Sequence, residues 1–313
     1  MNVPVSENLS LSASARAGLS EPQKKLEAKW FYDQQGSALF EQITVLPEYY
    51  PTRTELSILH EQVSALGALF PAGSALVELG SGASTKTRLL LSEIAHIDSY
   101  VPCDISGEFL RSTAATLAKD FPSINIEPIV ADFMQPVEFT TDTVNLPKVA
   151  FFPGSTIGNL EKNAAIDLMA RIRRWPQVKG FVLGVDLIKN ADRLIAAYDD
   201  DARVTAAFNK NILTRMNREA GGTFDISAFR HEARWNEAET RVEMHLVAVE
   251  KTQFSVDGQA FYMAAGESIH TENSHKYSRD QVARLAHASG WKVKEFFTDI
   301  NDDFGVVFLE PIE

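Results

Sequence analysis

The chain has 313 residues, 45% of them hydrophobic, and a formal net charge of −12 at pH 7. An acidic surface repels phosphate-rich partners, so we expect neither nucleic acid nor membrane binding. No apolar run approaches the ~20 residues of a membrane helix, and a lone cysteine, Cys103, excludes an internal disulfide and suggests a reducing compartment, so we expect a cytoplasmic protein.

The N-terminal region has two features before any regular alternation begins. Residues 1–20 are rich in Ser and Ala and lack the basic start and apolar block of a signal peptide, which predicts a flexible arm. From there to about Ser57 the chain is aromatic and rich in turn residues, and two prolines surround Tyr49 and Tyr50. Prolines in this arrangement predict a rigid, extended loop.

Strand and helix patterns alternate through the middle of the chain. The β-rich runs cover residues 75–79, 99–103, 126–130, 149–152 and 181–185, and helical patterns between them include residues 85–94 and 108–119. Such alternation predicts βαβ units and a parallel sheet that is covered on both faces.

The order of predicted helices and strands changes after about residue 190. A helical pattern at Val204–Glu219 precedes alternating strands at 241–250 and 259–264, and the chain closes with a helix at 279–289 and a hairpin of strands 292–298 and 304–309. A parallel sheet finished by a reversed hairpin resembles the architecture of class I methyltransferases.

We therefore predict an α/β fold with two domains. Residues 58–190 and 277–313 are expected to form a class I, Rossmann-like methyltransferase domain. Residues 21–57 and 191–276 are expected to form a second, α+β domain that binds the substrate.

A glycine-rich turn follows the first predicted strand and precedes a predicted helix. Gly80 and Gly82 let the backbone pass close to a ligand, and the free N–H groups of the helix face the same crevice. A dinucleotide fingerprint needs Gly or Ala where Thr85 stands, which disfavours NAD. The acidic Glu78 ahead of the glycines instead fits S-adenosylmethionine, whose sulfonium is cationic.

Carboxylates follow the next two strands. Asp104 closes the second strand and is suited to accept both ribose hydroxyls, while Asp132 and Phe133 follow the third and are suited to the adenine amino group and ring. Each residue alone is also typical of a cap or a core position. Their occurrence at successive strand ends, where open α/β sheets bind ligands, favours a cofactor site.

The segment after the fourth strand, residues 152–160, reads FPGSTIGNL. A methyltransferase would present polar groups to the methyl acceptor here. Asn159 offers a donor and an acceptor, which suits an amine beside a carboxylate; the alternative is that it caps the following helix.

Several long, unusual stretches carry a resemblance that covers the chain from about residue 24 to its end. They are WFYDQQGSALFEQITVLPEYYPTRTE (30–55), ELGSGASTKTR (78–88), FPGSTIGNL (152–160), GVDL (184–187), YDD (198–200), AAFNKNILTRMN (206–217), MHL (244–246) and IHTENSHKY (269–277). On these stretches the chain resembles the histidine Nα-methyltransferases of ergothioneine biosynthesis.

The resemblance implies roles for residues of this chain. The implied cofactor contacts are Gly80, Lys86, Asp104, Asp132 and Phe133, with S-adenosylhomocysteine as the product. The implied substrate contacts are Tyr49 and Asn159 for the amine, Asn159 and Tyr198 for the carboxylate, Glu272 and Ser274 for the imidazole, Phe40, Gly154, Thr205 and Met244 for the pocket wall, and Tyr32 for the entrance. Tyr49 and Asn159 are the implied catalytic residues, and three transfers would give hercynine (trimethylhistidine).

The imidazole assignment makes chemical sense because a neutral imidazole has one donor and one acceptor, which a carboxylate and a hydroxyl can both satisfy. The self-contained two-domain plan predicts a monomer. Three alternatives are an N-methyltransferase for another amino acid, such as a tryptophan derivative, a non-catalytic S-adenosylmethionine sensor, and a metal enzyme. No two of the seven histidines form a helical i, i+4 pair, so we expect no metal.

Overall fold

A computed structural model describes residues 10–82 and 85–313. The chain divides into two compact units. Unit 1 comprises the described part of residues 1–50 with Asn190–Ser274, and unit 2 comprises Pro51–Lys189 with His275–Glu313.

The helices of the described residues are α1 (Leu11–Leu19), α2 (Gln34–Thr44), α3 (Tyr50–Gly67), α4 (Thr85–Glu93), α5 (Gly107–Asp120), α6 (Lys162–Ile172), α7 (Ala191–Tyr198), α8 (Val204–Glu219) and α9 (Arg279–Ala288). The strands are β1 (Ser74–Leu79), β2 (Ile97–Asp104), β3 (Asn125–Ile126), β4 (Ile129–Val130), β5 (Lys148–Phe152), β6 (Val178–Asp186), β7 (Phe229–Asn236), β8 (Arg241–Ala248), β9 (Thr252–Val256), β10 (Gln259–Met263), β11 (Ser268–His275), β12 (Trp291–Thr298) and β13 (Phe304–Pro311).

Unit 2 is built on one sheet in the order β12-β13-β6-β5-β1-β2-β3, with β4 also paired to β2. The pairs from β6 through β5, β1 and β2 are parallel, whereas β13 runs antiparallel to both β6 and β12. Every position of β1 and β5 is buried, which explains their continuous apolar runs, because both faces of the sheet are covered. The α/β fold with a reversed closing hairpin is confirmed.

One predicted strand is broken in two. The run at 126–130 forms β3 and β4, each of two residues, and Pro128 lies between them. Proline lacks the N–H that a continuous ladder needs, so the break falls where the chemistry requires it.

Unit 1 has a three-stranded sheet in the order β11-β8-β7 and a separate hairpin of β9 and β10. One face of β8 presents Val242, Met244 and Leu246 to a hydrophobic cluster that also contains residues of α7 and α8. The alternate positions, Glu243 and His245, point to the other face, as the two-residue period of a strand requires.

The prediction of a flexible arm over residues 1–20 is wrong for the described part of that range, since residues 11–19 form α1. Ser10 caps this helix by accepting a hydrogen bond from the Ala13 N–H at 3.3 Å, and Ala15 and Leu19 are buried in the unit 1 cluster. Its Ser, Ala and Gly residues let the helix pack closely, although a segment rich in Ser and Ala also has the composition of a flexible arm. Residues 1–9 lie outside the described residues.

The first domain boundary falls earlier than expected. Helix α3 begins at Tyr50, so residues 51–57 continue into unit 2 instead of ending the N-terminal region. Pro51 stands in the first turn of α3, where its missing N–H leaves no hydrogen bond unmade. The expected extended loop therefore ends before Tyr50.

Helices long and apolar enough to cross a bilayer are absent from the described part of the chain.

Candidate active site

The turn after β1 is a close-approach site in unit 2. Gly80 and Gly82 have φ of +68° and +45°, a region that side chains rarely adopt. A Cβ built on Gly80 would lie 3.6 Å from Cε1 of Phe133, so this ring lies beside the turn. Phe133 is also held edge-on to Phe152, with ring centroids 5.3 Å apart. The turn therefore has backbone without side chains at Gly80 and Gly82, next to the ring of Phe133.

The carboxylates of Asp104 and Asp132 are fixed by backbone N–H groups. Asp104 Oδ1 accepts from Ser106 N at 2.8 Å and its Oδ2 lies 3.4 Å from Gly82 N, while Asp132 Oδ1 accepts from Met134 N at 2.8 Å. Both residues follow strands at the carboxyl edge of the sheet, as predicted. Their contacts with a cofactor remain a prediction.

Glu78 does not face the crevice as a free carboxylate. It is buried, and it accepts hydrogen bonds from Thr87 Oγ1 at 2.5 Å and from Tyr100 Oη. Burial raises the pKa of Glu78 to about 7, against which the two hydroxyls act only in part. Its first role is therefore structural, because it ties β1 to β2 and to α4.

A second buried carboxylate, Glu55, was missed by the sequence analysis. Its two oxygens accept from Gly154 N at 2.9 and 3.1 Å, and it forms an ion pair with Lys86. A Cβ on Gly184 would overlap Glu55 Oε1, so glycine is required there. Glu55 ends the stretch 30–55 that carries the resemblance, but only the fold shows that this carboxylate joins α3, α4 and the loop after β5.

The loop after β5 is strained and tightly held. Gly154 and Ser155 both have positive φ, at +75° and +56°, and Ser155 Oγ accepts from Asp186 N at 2.9 Å. A Cβ on Gly158 would lie 2.7 Å from the carbonyl oxygen of His275. These contacts fix the 3₁₀ turn that ends at Asn159.

Asn159 is not the cap of the following helix. The N-cap position of α6 belongs to Glu161, so the capping alternative is wrong. Asn159 is half-buried, and its contact with the substrate remains a prediction.

Unit 1 gathers the aromatic residues that the resemblance implied. The Phe40 ring lies 5.8 Å from Tyr32 and 6.3 Å from Tyr49, and Tyr49 lies 6.2 Å from Tyr198, each pair edge to face. Phe208 of α8, which the sequence analysis did not single out, joins the group at 6.0 Å from Phe40. The result is a continuous aromatic wall, with Tyr49 only 8% exposed.

The segment that contains Glu272 and Ser274 is a strand, β11, and not a polar turn. Ser274 is buried and Glu272, two residues before it, is half-buried. Ser274 Oγ lies 2.6 Å from Tyr198 Oη, which brings two of the implied substrate contacts together.

A buried polar network lies behind this wall. Thr271 Oγ1 lies 2.7 Å from Asn209 Oδ1 and 3.0 Å from Met244 O, and Asn209 Nδ2 lies 2.8 Å from His231 Nδ1. His231 Nε2 completes the chain at 2.8 Å from Tyr198 O. Burial lowers the pKa of His231, which favours the neutral ring that can donate to Tyr198 and accept from Asn209.

Two implied wall residues have fixed places in unit 1. Met244 is buried on β8, and Thr205 is buried in the first turn of α8, where its N–H donates to Asp200 Oδ1 at 2.8 Å. Burial is what a core residue would also show, so their contact with substrate remains a prediction.

The fold together with the family match and relatives described below defines the class of protein as an S-adenosylmethionine-dependent methyltransferase. Its sheet carries a positive-φ glycine turn with a ring beside it and carboxylates at successive strand ends. The CcbJ methyltransferase from Streptomyces caelestis has a similar fold, with a TM-score of 0.51 and 15% identity over 90% of this chain and 100% of that chain.

The chain belongs to the family of histidine-specific, S-adenosylmethionine-dependent methyltransferases, whose model matches residues 11–311. A histidine N-alpha-methyltransferase of Mycolicibacterium smegmatis is 40% identical over 95% of this chain and 93% of that protein. Another from Mycobacterium tuberculosis is 38% identical over 96% of this chain and 94% of that protein. The resemblance drawn from the sequence is confirmed, and the cofactor is S-adenosylmethionine.

Proposed function

We propose that this protein transfers methyl groups from S-adenosylmethionine to the α-amino group of L-histidine, three times, to give hercynine for ergothioneine biosynthesis. The observation that carries the proposal is the 2.6 Å contact between Tyr198 Oη, at the end of α7, and Ser274 Oγ on β11, the strand that also bears Glu272. A carboxylate and a hydroxyl match the donor and the acceptor of a neutral imidazole. The histidine names of the relatives at 38 and 40% identity point the same way.

Binding starts with the imidazole. Glu272 would accept its N–H, while the Ser274 hydroxyl would donate to the second ring nitrogen. The Tyr198 hydroxyl, which has one proton, would then turn from Ser274 to the substrate carboxylate. An apolar ligand of similar size would leave these polar atoms unpaired, which is the basis of strong discrimination. Tyr198 and Asn159 would hold the carboxylate.

The amine must lose its proton before it can attack. Free α-amino groups have pKa values near 8, and a desolvated site next to a cation lowers them. Bound S-adenosylmethionine supplies an electrophilic methyl group on a sulfonium, and S-adenosylhomocysteine leaves. Tyr49 and Asn159 would orient the amine lone pair for in-line attack, and the Tyr49 hydroxyl would pass the released proton towards solvent.

Three rounds of transfer require a site that tolerates a quaternary ammonium. Such a group donates no hydrogen bond, so it depends on aromatic faces, each worth about 0.5 to 2 kcal/mol. Tyr32, Phe40 and Tyr49 lie in one edge-to-face series and suit this requirement. The series supports repeated methylation over a single transfer.

A second candidate substrate is a tryptophan derivative. An indole has a donor but no acceptor, so the Ser274 hydroxyl would have no use beside Glu272. The paired hydroxyls therefore favour histidine. We also propose that the protein acts as a cytoplasmic monomer, since each unit has its own hydrophobic core.

Mass spectrometry tests the proposal directly. The protein is incubated with S-adenosylmethionine and an equimolar mixture of the twenty amino acids, and the products are followed over time. Mono-, di- and trimethylated histidine should appear in turn while the other amino acids stay unchanged. Methylation of tryptophan, arrest at one methyl group, or cofactor binding without any product would each contradict a stated part of the proposal.

Variants separate the imidazole contacts from general damage. Glu272→Gln and Ser274→Ala should each lower kcat/KM for histidine roughly tenfold or more, because a hydrogen bond to a charged group contributes about 1.5–3 kcal/mol. Glu237→Gln, an exposed glutamate in the same unit, is the matched control. Equal rates in all three variants would remove Glu272 and Ser274 from the imidazole site.

A further inference from the structure

Unit 1 brings together two histidines and a glutamate that the function proposed above does not use. One ligand atom from each of Glu243, His245 and His270 lies within 4.8 Å of the other two. No metal was expected from the sequence, because no two histidines have the i, i+4 spacing of a helical metal site. Here the spacing is that of a sheet: Glu243 and His245 are two apart on β8, and His270 is on the neighbouring β11.

We propose that Glu243, His245 and His270 bind a divalent transition-metal ion of the zinc class, on the face of the β11-β8-β7 sheet opposite the hydrophobic cluster. Two imidazoles and one carboxylate are a ligand set that zinc uses, with bond lengths of about 2.0 to 2.2 Å. Nitrogen ligands disfavour magnesium and calcium, which prefer oxygen.

The distances suit such an ion. Glu243 Oε2 and His245 Nε2 lie 3.1 Å apart, close to the separation of two atoms bound to one tetrahedral metal. The His245 and His270 rings are near-parallel with centroids 5.0 Å apart, so both edges can meet a common point with a small shift of His270. The side chains are largely buried, which limits competition from water.

Surrounding groups hold the ligands in binding-competent states. Glu243 Oε1 accepts from Asn236 Nδ2 at 2.9 Å and from Arg241 Nε at 2.8 Å, which leaves Oε2 for the ion. His270 Nε2 donates to the Glu272 carbonyl at 3.0 Å, which places the ring lone pair on Nδ1, and a bound ion would replace the side-chain hydrogen bond between His270 and Asn273. Ring N–H groups bonded to carbonyls are the usual second layer of a metal site.

The nearby cations set a limit on affinity. Arg241 is paired with Glu243, and Arg234, opposite Glu243 in the β7–β8 register, is paired with Glu232. Both guanidinium groups weaken the attraction for a dication. The bound ion would nevertheless cross-link β8 to β11, the strand that carries Glu272.

Calorimetric titration of the full chain with zinc chloride, after removal of metal by a chelator, tests the site without cofactor or histidine present. We expect one ion per chain and a melting temperature that rises with zinc concentration. Glu243→Gln and His270→Ala should each weaken binding at least tenfold. His60→Ala, a change at an exposed histidine of unit 2, is the control and should bind as the wild type does.

Cobalt(II) absorption of the wild-type chain is the second readout and needs no variant. Intense visible bands of a four- or five-coordinate ion with nitrogen ligands would support the site. The weak spectrum of the hydrated ion, no saturable zinc binding, or equal zinc affinity in all variants would overturn it. Methyl transfer is not measured, so the outcome is independent of the proposed function.

Discussion

Replacing Glu55 by glutamine tests the buried contact that joins three elements of unit 2. The Glu55 side chain is 1% exposed and that of its partner Lys86 is 15% exposed. In Glu55→Gln one oxygen becomes an NH₂ group, so a donor faces either the Lys86 ammonium or the Gly154 N–H. Removing one partner of a fully buried pair costs about 3–5 kcal/mol. Because Lys86 keeps some contact with water, we expect a loss of about 2–3 kcal/mol in the free energy of unfolding.

Urea unfolding at constant pH measures this loss. Glu61→Gln is the matched control, since Glu61 lies on the same helix, is exposed, and accepts a hydrogen bond from Ser57 Oγ at 3.0 Å. It should change stability by less than about 0.5 kcal/mol. Calorimetry should also show weaker S-adenosylmethionine binding in Glu55→Gln, because Lys86 and Gly154 lose their common anchor. If the two variants unfold within 0.5 kcal/mol of each other, the pair does not stabilise the unit as argued.

Three further changes have defined outcomes. Gly158→Ala places a Cβ 2.7 Å from the His275 carbonyl oxygen, so the turn that carries Asn159, the proposed contact of the amine, must move. We expect kcat/KM to fall ten- to a hundredfold, and a wild-type rate would show that the turn tolerates the shift. Tyr198→Phe removes the 2.6 Å bond to Ser274 and should lower kcat/KM for histidine about fivefold to tenfold at an unchanged melting temperature, and an unchanged kcat/KM would contradict it. The pKa of Glu78 is about 7 in the folded chain against an ordinary 4.5, so the folded state binds the proton more tightly than the unfolded state does. The free energy of unfolding of the wild type should therefore fall by up to about 3 kcal/mol as the pH rises from 4.5 through 7. Glu78→Gln imitates the protonated form, so urea unfolding should show it matching the wild type at pH 5 and exceeding it at pH 8, and the opposite sign would refute the argument.

The sheet of unit 2 was predictable because its signals are local. Each central strand is a continuous apolar run, and each observed strand lies within a few residues of its predicted position. The apolar run around Pro128 predicts one strand, and the missing N–H of this proline explains why the structure has two. Helix α1 was missed because its small side chains carry little hydrophobic pattern, and only packing against unit 1 reveals its buried face.

The site was predictable where single strand ends carry it, and not where distant segments meet. Asp104 and Asp132 follow strands, as predicted, and their contact with the cofactor stays a prediction. Glu55 lies 99 residues from Gly154, and no pattern links the two before the chain folds. Glu243 and His270 likewise become neighbours only through the pairing of β8 with β11. The resemblance implied binding residues that stay a prediction, and it did not indicate the contact of Glu55 with Gly154 or the pairing of His231 with Asn209.

The charges of unit 2 show why the cofactor edge can receive a cationic ligand. Glu78 is buried with two hydroxyls and a pKa of about 7, so near neutrality it carries only part of a charge. Glu55 is paired with Lys86, whose ammonium offsets the field of that carboxylate. The two buried carboxylates therefore add little net field. Asp104 and Asp132, held by backbone N–H groups at strand ends, remain as the anionic groups that can face a sulfonium nucleoside. Substituting either aspartate should therefore weaken cofactor binding far more than stability, whereas substituting Glu55 should affect both.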